Sequence, residues 1–169
     1  MTFYEQAIRD MCDDIIERAQ RNIGATRTIR GKRRRRVSTG NLKNSLRYTV
    51  KRKTDGANVK FDAKGSASNY WDVIERGRRP NRKPPPIDAI VEWMKKKPVR
   101  LQSKGGGFIK STPQAQRAAA YLIARAIGKR GIEGIKFYEE AINAAIEDWG
   151  VRLEEAMKKD IEQRLNEIE

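Results

Sequence analysis

The stretch Tyr70 to Lys97, YWDVIERGRRPNRKPPPIDAIVEWMKKK, decides how this chain is read. Tyr70, Val73 and Ile74 share one side of a short helix over 70–76, and Gly77 ends it. A basic arm follows, Arg78, Arg79, Pro80, then Arg82 and Lys83. Pro84 and Pro85 disfavour helix before them, whereas Pro86 suits the first turn of the next helix, where a missing N–H costs nothing. That helix runs to about Lys97 with Ile87, Ile90, Val91 and Trp93 as its apolar face. Two elements joined by a stiff extended arm hold parts in fixed relation; they do not enclose a catalytic pocket.

Upstream, apolar residues recur at three- and four-residue spacing from Phe3 to Ile23, so Thr2 to Ile23 is expected to be a helix. Thr2 and Glu5 make a capping box and Gly24 a stop. Residues 25–39 have no periodicity, and their Lys32-Arg33-Arg34-Arg35-Arg36 run predicts a mobile loop, because like charges at this density resist packing. Ser38 or Thr39 is placed to cap a short turn across Asn41 to Leu46. Tyr48 and Val50, then Val59 and Phe61, alternate with polar residues around Asp55-Gly56, which predicts a β-hairpin near 47–62. A lone hairpin is marginal in water, so it needs a third strand, a covering helix or a strand from another subunit. Gly65 to Asn69 is a small-residue linker.

Downstream, Val99 to Pro113 carries Gly105-Gly106-Gly107 and reads as a flexible loop, with a hairpin tip as the rival. Gln114 to Lys129 is an alanine-rich helix and Gly128 to Gly134 a turn. Ile135 to Ile168 keeps close to a 3.5-residue apolar repeat, with Gly150 as a candidate bend. At about 1.5 Å per residue such a helix outruns a small domain, so its distal half should project or pack on a neighbour. The expected class is α+β and helix-dominated, a small antiparallel sheet flanked by helices. The expected organisation is a domain over 1–134 and a long C-terminal helix over 135–169, packing on the core and on neighbouring subunits.

The formal charge of +15 and the pI near 10.2 call for acidic partners, either nucleic acid or an acidic protein surface. Charge is also split along the chain. Ala25 to Lys64 carries +12 and Phe137 to Glu169 carries −6, a polarity suited to head-to-tail association and ring closure. Cys12, the single cysteine, rules out an intrachain disulfide and reads as a small core residue. Met1 leads into an amphipathic stretch rather than a leader, and no apolar run reaches the roughly 18 residues of a membrane span, so a soluble protein made in a reducing cytoplasm is expected.

With no histidine, a Ser-His-Asp triad and a Cys-His pair are impossible, and the common zinc sites lack ligands. No phosphate-loop or dinucleotide glycine motif occurs. Asp62, Asp72, Glu75, Asp88 and Glu92 are the carboxylates to weigh for a Mg²⁺ nuclease; none stands in a metal pattern with a nearby lysine, and ordinary surface ion pairs are the preferred reading. No enzyme activity, cofactor or metal is expected. Trp71, Trp93 and Trp149 fall in helical segments as core or interface anchors.

Four stretches, in order, resemble the neck and tail-completion (head–tail joining) proteins of tailed bacteriophages. They are Ser38-Thr39-Gly40-Asn41-Leu42-Lys43-Asn44-Ser45-Leu46; Tyr70 to Gly77 with Ile74-Glu75-Arg76-Gly77; Lys83-Pro84-Pro85-Pro86-Ile87 through Trp93; and Ala119-Tyr121-Ile123-Ala124-Ile127 with Gly131-Ile132 and Phe137-Tyr138. The resemblance covers roughly residues 1–146. The polyarginine run, the acidic C-terminal helix and Arg78-Arg79-Pro80 in place of Gly-Thr depart from the pattern. It implies a structural virion protein assembling as a ring, hexamer or dodecamer, in the neck between portal or adaptor and tail proteins, with DNA passing through the lumen. Subunit contacts are then expected at Arg78, Arg79, Pro80, Pro84, Pro85 and Pro86, and at Trp149, Leu153, Met157, Ile161 and Leu165. Lys32 to Arg36 would meet acidic neighbours or the genome. The alternative is a basic nucleic-acid-binding accessory protein.

Overall fold

The computed structural model describes residues 2–29, 31–35, 40–53, 56–96, 99–103 and 105–167. The chain divides into two compact units, residues 1–75 with 135–169, and residues 76–134. The sequence reading places a boundary at 134/135 but none at 75/76. The long C-terminal helix forms one unit with residues 1–75.

In the first unit, α1 (Phe3–Gly24) starts at the expected capping box: the Thr2 side chain accepts from Glu5 N–H and the Glu5 carboxylate from Thr2 N–H. It buries Ile8, Cys12, Ile15, Ala19 and Ile23. Burial, with the Asp13 charge beside it, pushes the Cys12 thiol up to about 11, against a smaller opposing pull from Arg9. The C-terminal helix α6 (Phe137–Asn166) runs unbroken through Gly150 for 30 residues, about 45 Å. Gly150, the candidate bend, leaves the helix uninterrupted.

The two helices lie antiparallel and are pinned at three heights. Asn22 Nδ2 donates to Phe137 O at 3.1 Å, Trp149 Nε1 donates to Asp14 Oδ2 at 2.8 Å, and Phe3 and Tyr4 N–H donate to Asp160 at 2.7 and 2.9 Å. Ala19, Ala141 and Ala145 are almost wholly buried in the shared core, small residues that let the helices close on one another.

The hairpin of β3 (Leu46–Lys53) and β4 (Gly56–Ala63) is as expected, with Tyr48 opposite Phe61 and Val50 opposite Val59. Its connection, 54–55, lies outside the described residues. The support it needs comes from helices. Strand β3 packs on α1, Phe61 meets Tyr138 with ring centroids 5.4 Å apart, and the Tyr138 hydroxyl donates to Asp62 O at 2.7 Å. Gly40 precedes the short helix α2 (Asn41–Ser45), a 3₁₀ turn covers Gly65–Asn69, and α3 (Trp71–Arg76) closes this part of the chain. Ser38 and Thr39, the expected caps, lie outside the described residues.

Residues 26–29 and 32–35 correct the expected mobile loop. Strands β1 (Thr26–Ile29) and β2 (Lys32–Arg35) pair antiparallel, Thr26 with Arg35 through Ile29 with Lys32. Thr26, Thr28 and Ile29 favour extended backbone. Arg27 reaches Glu140 on α6 in a two-pronged ion pair, Nη1 to Oε1 at 2.7 Å and Nη2 to Oε2. One strand is thus tethered to the core, and the like-charge strand pairs to it through its backbone.

The second unit is bracketed by β5 (Gly77–Arg78) and β6 (Ile132–Glu133), which pair and bring its two ends together. Between them lie α4 (Ile87–Lys96) and α5 (Pro113–Arg130), the latter capped by Thr112 with Pro113 at its first turn. Ile90, Met94, Leu101, Ala120 and Ala124 form its core. Residues 101–103 and 105–109 follow the hairpin rival of the flexible-loop reading: Gln102 bridges Phe108, and Ile109 N–H donates to Leu101 O at 2.9 Å.

The residue that starts α6 is Glu75. Lys136, at its N-cap, has φ 50° and ψ 40° and offers no side-chain cap. The buried Glu75 carboxylate accepts from Tyr138 N–H through Oε2 and from Glu139 N–H through Oε1, each at 2.9 Å. Two donors that a helix N-terminus leaves unsatisfied are thereby paired with a negative charge. Glu75→Ala strands the buried Tyr138 amide and the part-buried Glu139 amide. It is expected to destabilise the first unit by about 2–4 kcal/mol in urea denaturation, whereas Asp88→Ala, at an exposed ion pair, leaves the midpoint nearly unchanged.

Candidate functional site

Three surfaces hold the residues singled out in the sequence. The first is the distal half of α6. Ala156 is its last buried residue, and everything described from Ile161 onward is exposed. Of the five apolar positions expected at a subunit contact, Trp149 is turned toward α1 and engaged there, and Leu153 is half-buried. Met157, Ile161 and Leu165 stand 46%, 53% and 60% exposed at four-residue spacing, a continuous apolar stripe that the described residues cover only in part. Ile146 and Val151 are exposed on the same helix. The stripe borders a groove of about 690 Å³ between the start of α1, the Lys53–Gly56 end of the β3–β4 hairpin and α6. Ile8, Val50, Met157 and Ile161 supply its apolar lining, and Arg9, Lys53 and Arg164 its positive charge. Arg52, also at the groove, is paired with Glu5.

Below this stripe, ion pairs join the apolar core in holding α6 to α1. Asp14 accepts from Arg18 Nε at 2.9 Å, and Arg18 Nη2 lies 2.7 Å from Asp148. The Arg18 bond holds the Asp14 carboxyl below its usual range; partial burial opposes this and the Trp149 indole N–H adds to it. Desolvation pushes the Asp160 carboxyl upward, but the Tyr4 and Phe3 amides, the Thr2 side chain and Arg164 outweigh it and leave the group below its usual range. Glu140 is lowered as well, chiefly by Arg27.

The second surface is the β1–β2 hairpin. The Arg33 side chain is exposed, and the backbone of Lys32, Arg34 and Arg35 lies in β2. Arg36 lies outside the described residues.

The third surface is the arm of the second unit. Arg79, Pro80, Pro84 and Pro86 are exposed, Arg78 and Pro85 are half-buried, and the Arg78 guanidinium donates to Lys83 O. Residues 76–134 carry fifteen Lys or Arg against Asp88, Glu92 and Glu133, so four-fifths of the net charge sits on this unit.

The five carboxylates weighed for metal are dispersed. Glu75 is the helix cap, Asp62 is bonded to Arg47 at 2.5 Å, Asp88 lies 3.2 Å from Arg117, and Glu92 accepts from Lys95 at 2.6 Å. Asp72 is exposed on α3. Among the described residues no group of three or more metal-ligating side chains gathers, and no helix is long and apolar enough to cross a membrane.

Sequence reasoning passed over Glu75 and Asp160 as caps. The available signal was a helix beginning at Phe137 after Lys136, with no Ser, Thr, Asp or Asn at its N-cap, which requires an acceptor from elsewhere. No family model, no curated protein and no solved structure matches the chain.

Asp14, Glu140 and Asp160 have folded-state values below their unfolded ones. Their contribution is therefore complete above the unfolded values and is lost as pH falls through the folded ones. Thermal melts should be flat from about pH 7 to 5 and decline below about pH 4. Asp14→Asn should melt lower than the parent at neutral pH and converge with it in acid.

Proposed function

We propose that this chain is a structural virion protein of a tailed bacteriophage, a ring subunit of the neck that joins head to tail by tail completion or head closure. The ring is a hexamer or dodecamer, the neighbours are portal or adaptor and tail proteins, and the genome passes through the lumen. The subunit is made in the host cytoplasm and does no chemistry.

The observation that carries this reading is the apolar stripe Met157, Ile161 and Leu165 on the projecting end of an acidic helix. A helix face of this kind, left half exposed by the described residues, is a surface for another subunit. Asp160 fixes it relative to α1 by two backbone bonds, so the stripe is presented rigidly. A rigid contact repeated with a fixed rotation closes a ring. Support comes also from the order of motifs shared with head–tail joining proteins and from the polarity between the basic 25–64 stretch and the acidic 137–169 stretch.

The test is mass measurement and negative-stain imaging of the purified chain, alone and mixed with candidate portal and tail proteins. Closed rings are expected in at least one of these mixtures. Met157→Asp with Ile161→Asp should abolish them while leaving the circular dichroism spectrum unchanged, because both side chains are exposed. Rings that survive the double substitution, or monomers in every mixture, would refute the assignment.

A further inference from the structure

The arm that enters α4 is fastened by its backbone to the far end of α5. Asn81 N–H donates to Lys129 O at 3.4 Å and Arg82 N–H to Gly128 O at 3.0 Å. These carbonyls belong to the last turn of α5, whose acceptors have no partner within the helix, so the arm satisfies them as a cap does. Gly128 makes the approach possible: a Cβ there would stand 2.9 Å from Arg82 O and 3.0 Å from Pro84 Cγ. Asn81 holds φ at 57°, which turns the arm over the helix end.

This fastening gathers cations that the sequence keeps about fifty residues apart. Arg79, Arg82 and Lys83 from the arm, with Lys129 and Arg130 from the helix end, share one neighbourhood and are all exposed. Residues 76–86 and 128–134 together hold seven Lys or Arg and a single carboxylate, Glu133. Among the described residues no ion pair engages Arg79, Arg82, Lys83 or Lys129.

We propose that this arm-and-helix-end surface binds the phosphate backbone of duplex DNA without sequence preference. Backbone bonds set the positions of the cations before any ligand arrives, which lowers the ordering cost of binding. Guanidinium and ammonium groups match phosphate oxygens, and contacts to the backbone carry no sequence information. Residues 78–84 and 128–131 include no aromatic side chain to stack on unpaired bases, which disfavours a single strand. They also include no large exposed apolar side chain, so the anchor that a protein interface needs is missing here. An excess of one sign over a whole unit suits a continuous polyanion. The inference does not depend on ring formation, and it assigns the contact to residues other than the Lys32 to Arg36 run.

The experiment is fluorescence anisotropy with the full chain and a labelled random-sequence duplex of about 25 base pairs, from about 50 to 200 mM salt. Tight, salt-dependent binding is expected. Arg79→Gln, Arg82→Gln and Lys83→Gln together should weaken it roughly tenfold or more and flatten the salt slope by about 2.7, near 0.9 for each contact removed. Arg33→Gln with Arg34→Gln should change it less. Gly128→Ala alters no charge but displaces the arm, and should lower affinity several-fold. The proposal is overturned if the free chain ignores duplex DNA, if the Arg33 and Arg34 pair carries the loss instead, or if the triple variant binds like the parent. It is equally overturned if polyglutamate competes for the site and DNA does not.

Discussion

The first unit depends on one buried carboxylate. Glu75, at the end of α3, closes the first turn of a helix that begins sixty-two residues later in sequence, at Phe137. The peptide bonds on either side of it reinforce the link, since Ile135 N–H donates to Ile74 O at 2.9 Å and Lys136 N–H to Glu75 O at 3.0 Å. A helix of 30 residues is steered from its start, because each residue added carries the starting direction and phase forward. With the first turn set by Glu75, Phe137 and Tyr138 enter the core, Trp149 reaches Asp14 three turns on, and Asp160 arrives at the start of α1.

That last contact returns the favour in kind. Asp160 lies near the end of α6 and caps α1; Glu75 caps α6. Each is a negative charge at a positive helix end, where the backbone dipoles favour it. The antiparallel pair is thereby registered at its two ends by polar contacts, and the apolar core between them has one alignment that satisfies both. Sliding α6 by a turn would move Asp160 about 5 Å from the amides of Phe3 and Tyr4 and withdraw the Trp149 indole from Asp14.

Local signals in the sequence carried much of this fold. The capping box at Thr2 and Glu5, the alternation around Asp55-Gly56 and the triple proline before Ile87 are each decided by neighbours within a few residues, and each element appears where those neighbours place it. The β1–β2 hairpin was hidden because charge density argues against packing, while the tether that offsets it, Glu140, lies over a hundred residues away. The boundary at 75/76 was hidden for a similar reason: β5 and β6 are two residues each, too short to show alternation, and their pairing joins the ends of a 59-residue unit. Gly77 and Gly131, at φ 81° and 67°, are the trace it leaves, since an added Cβ at either would press on the backbone opposite. In the candidate surfaces, the α6 stripe was legible as periodicity beyond the core's reach. The cation cluster was not, because it is assembled by arm amides meeting the carbonyls of a helix end.

The division into units also separates the two kinds of surface. Unit 76–134 carries +12 and leaves +3 to the rest of the chain, while the exposed apolar stripe lies on the acidic helix of the other unit. The two demands conflict when they share a surface, since a subunit contact gains from removing water around apolar groups and a phosphate contact gains from keeping cations exposed until the polyanion arrives. Placed on separate units, the contacts answer to different variables. A subunit contact on the α6 stripe would be weakly sensitive to salt, and the proposed phosphate contact on the arm strongly so. Under the two proposals, ionic strength would act on one surface with little effect on the other, a separation that neither the total charge nor the overall hydropathy of the chain conveys.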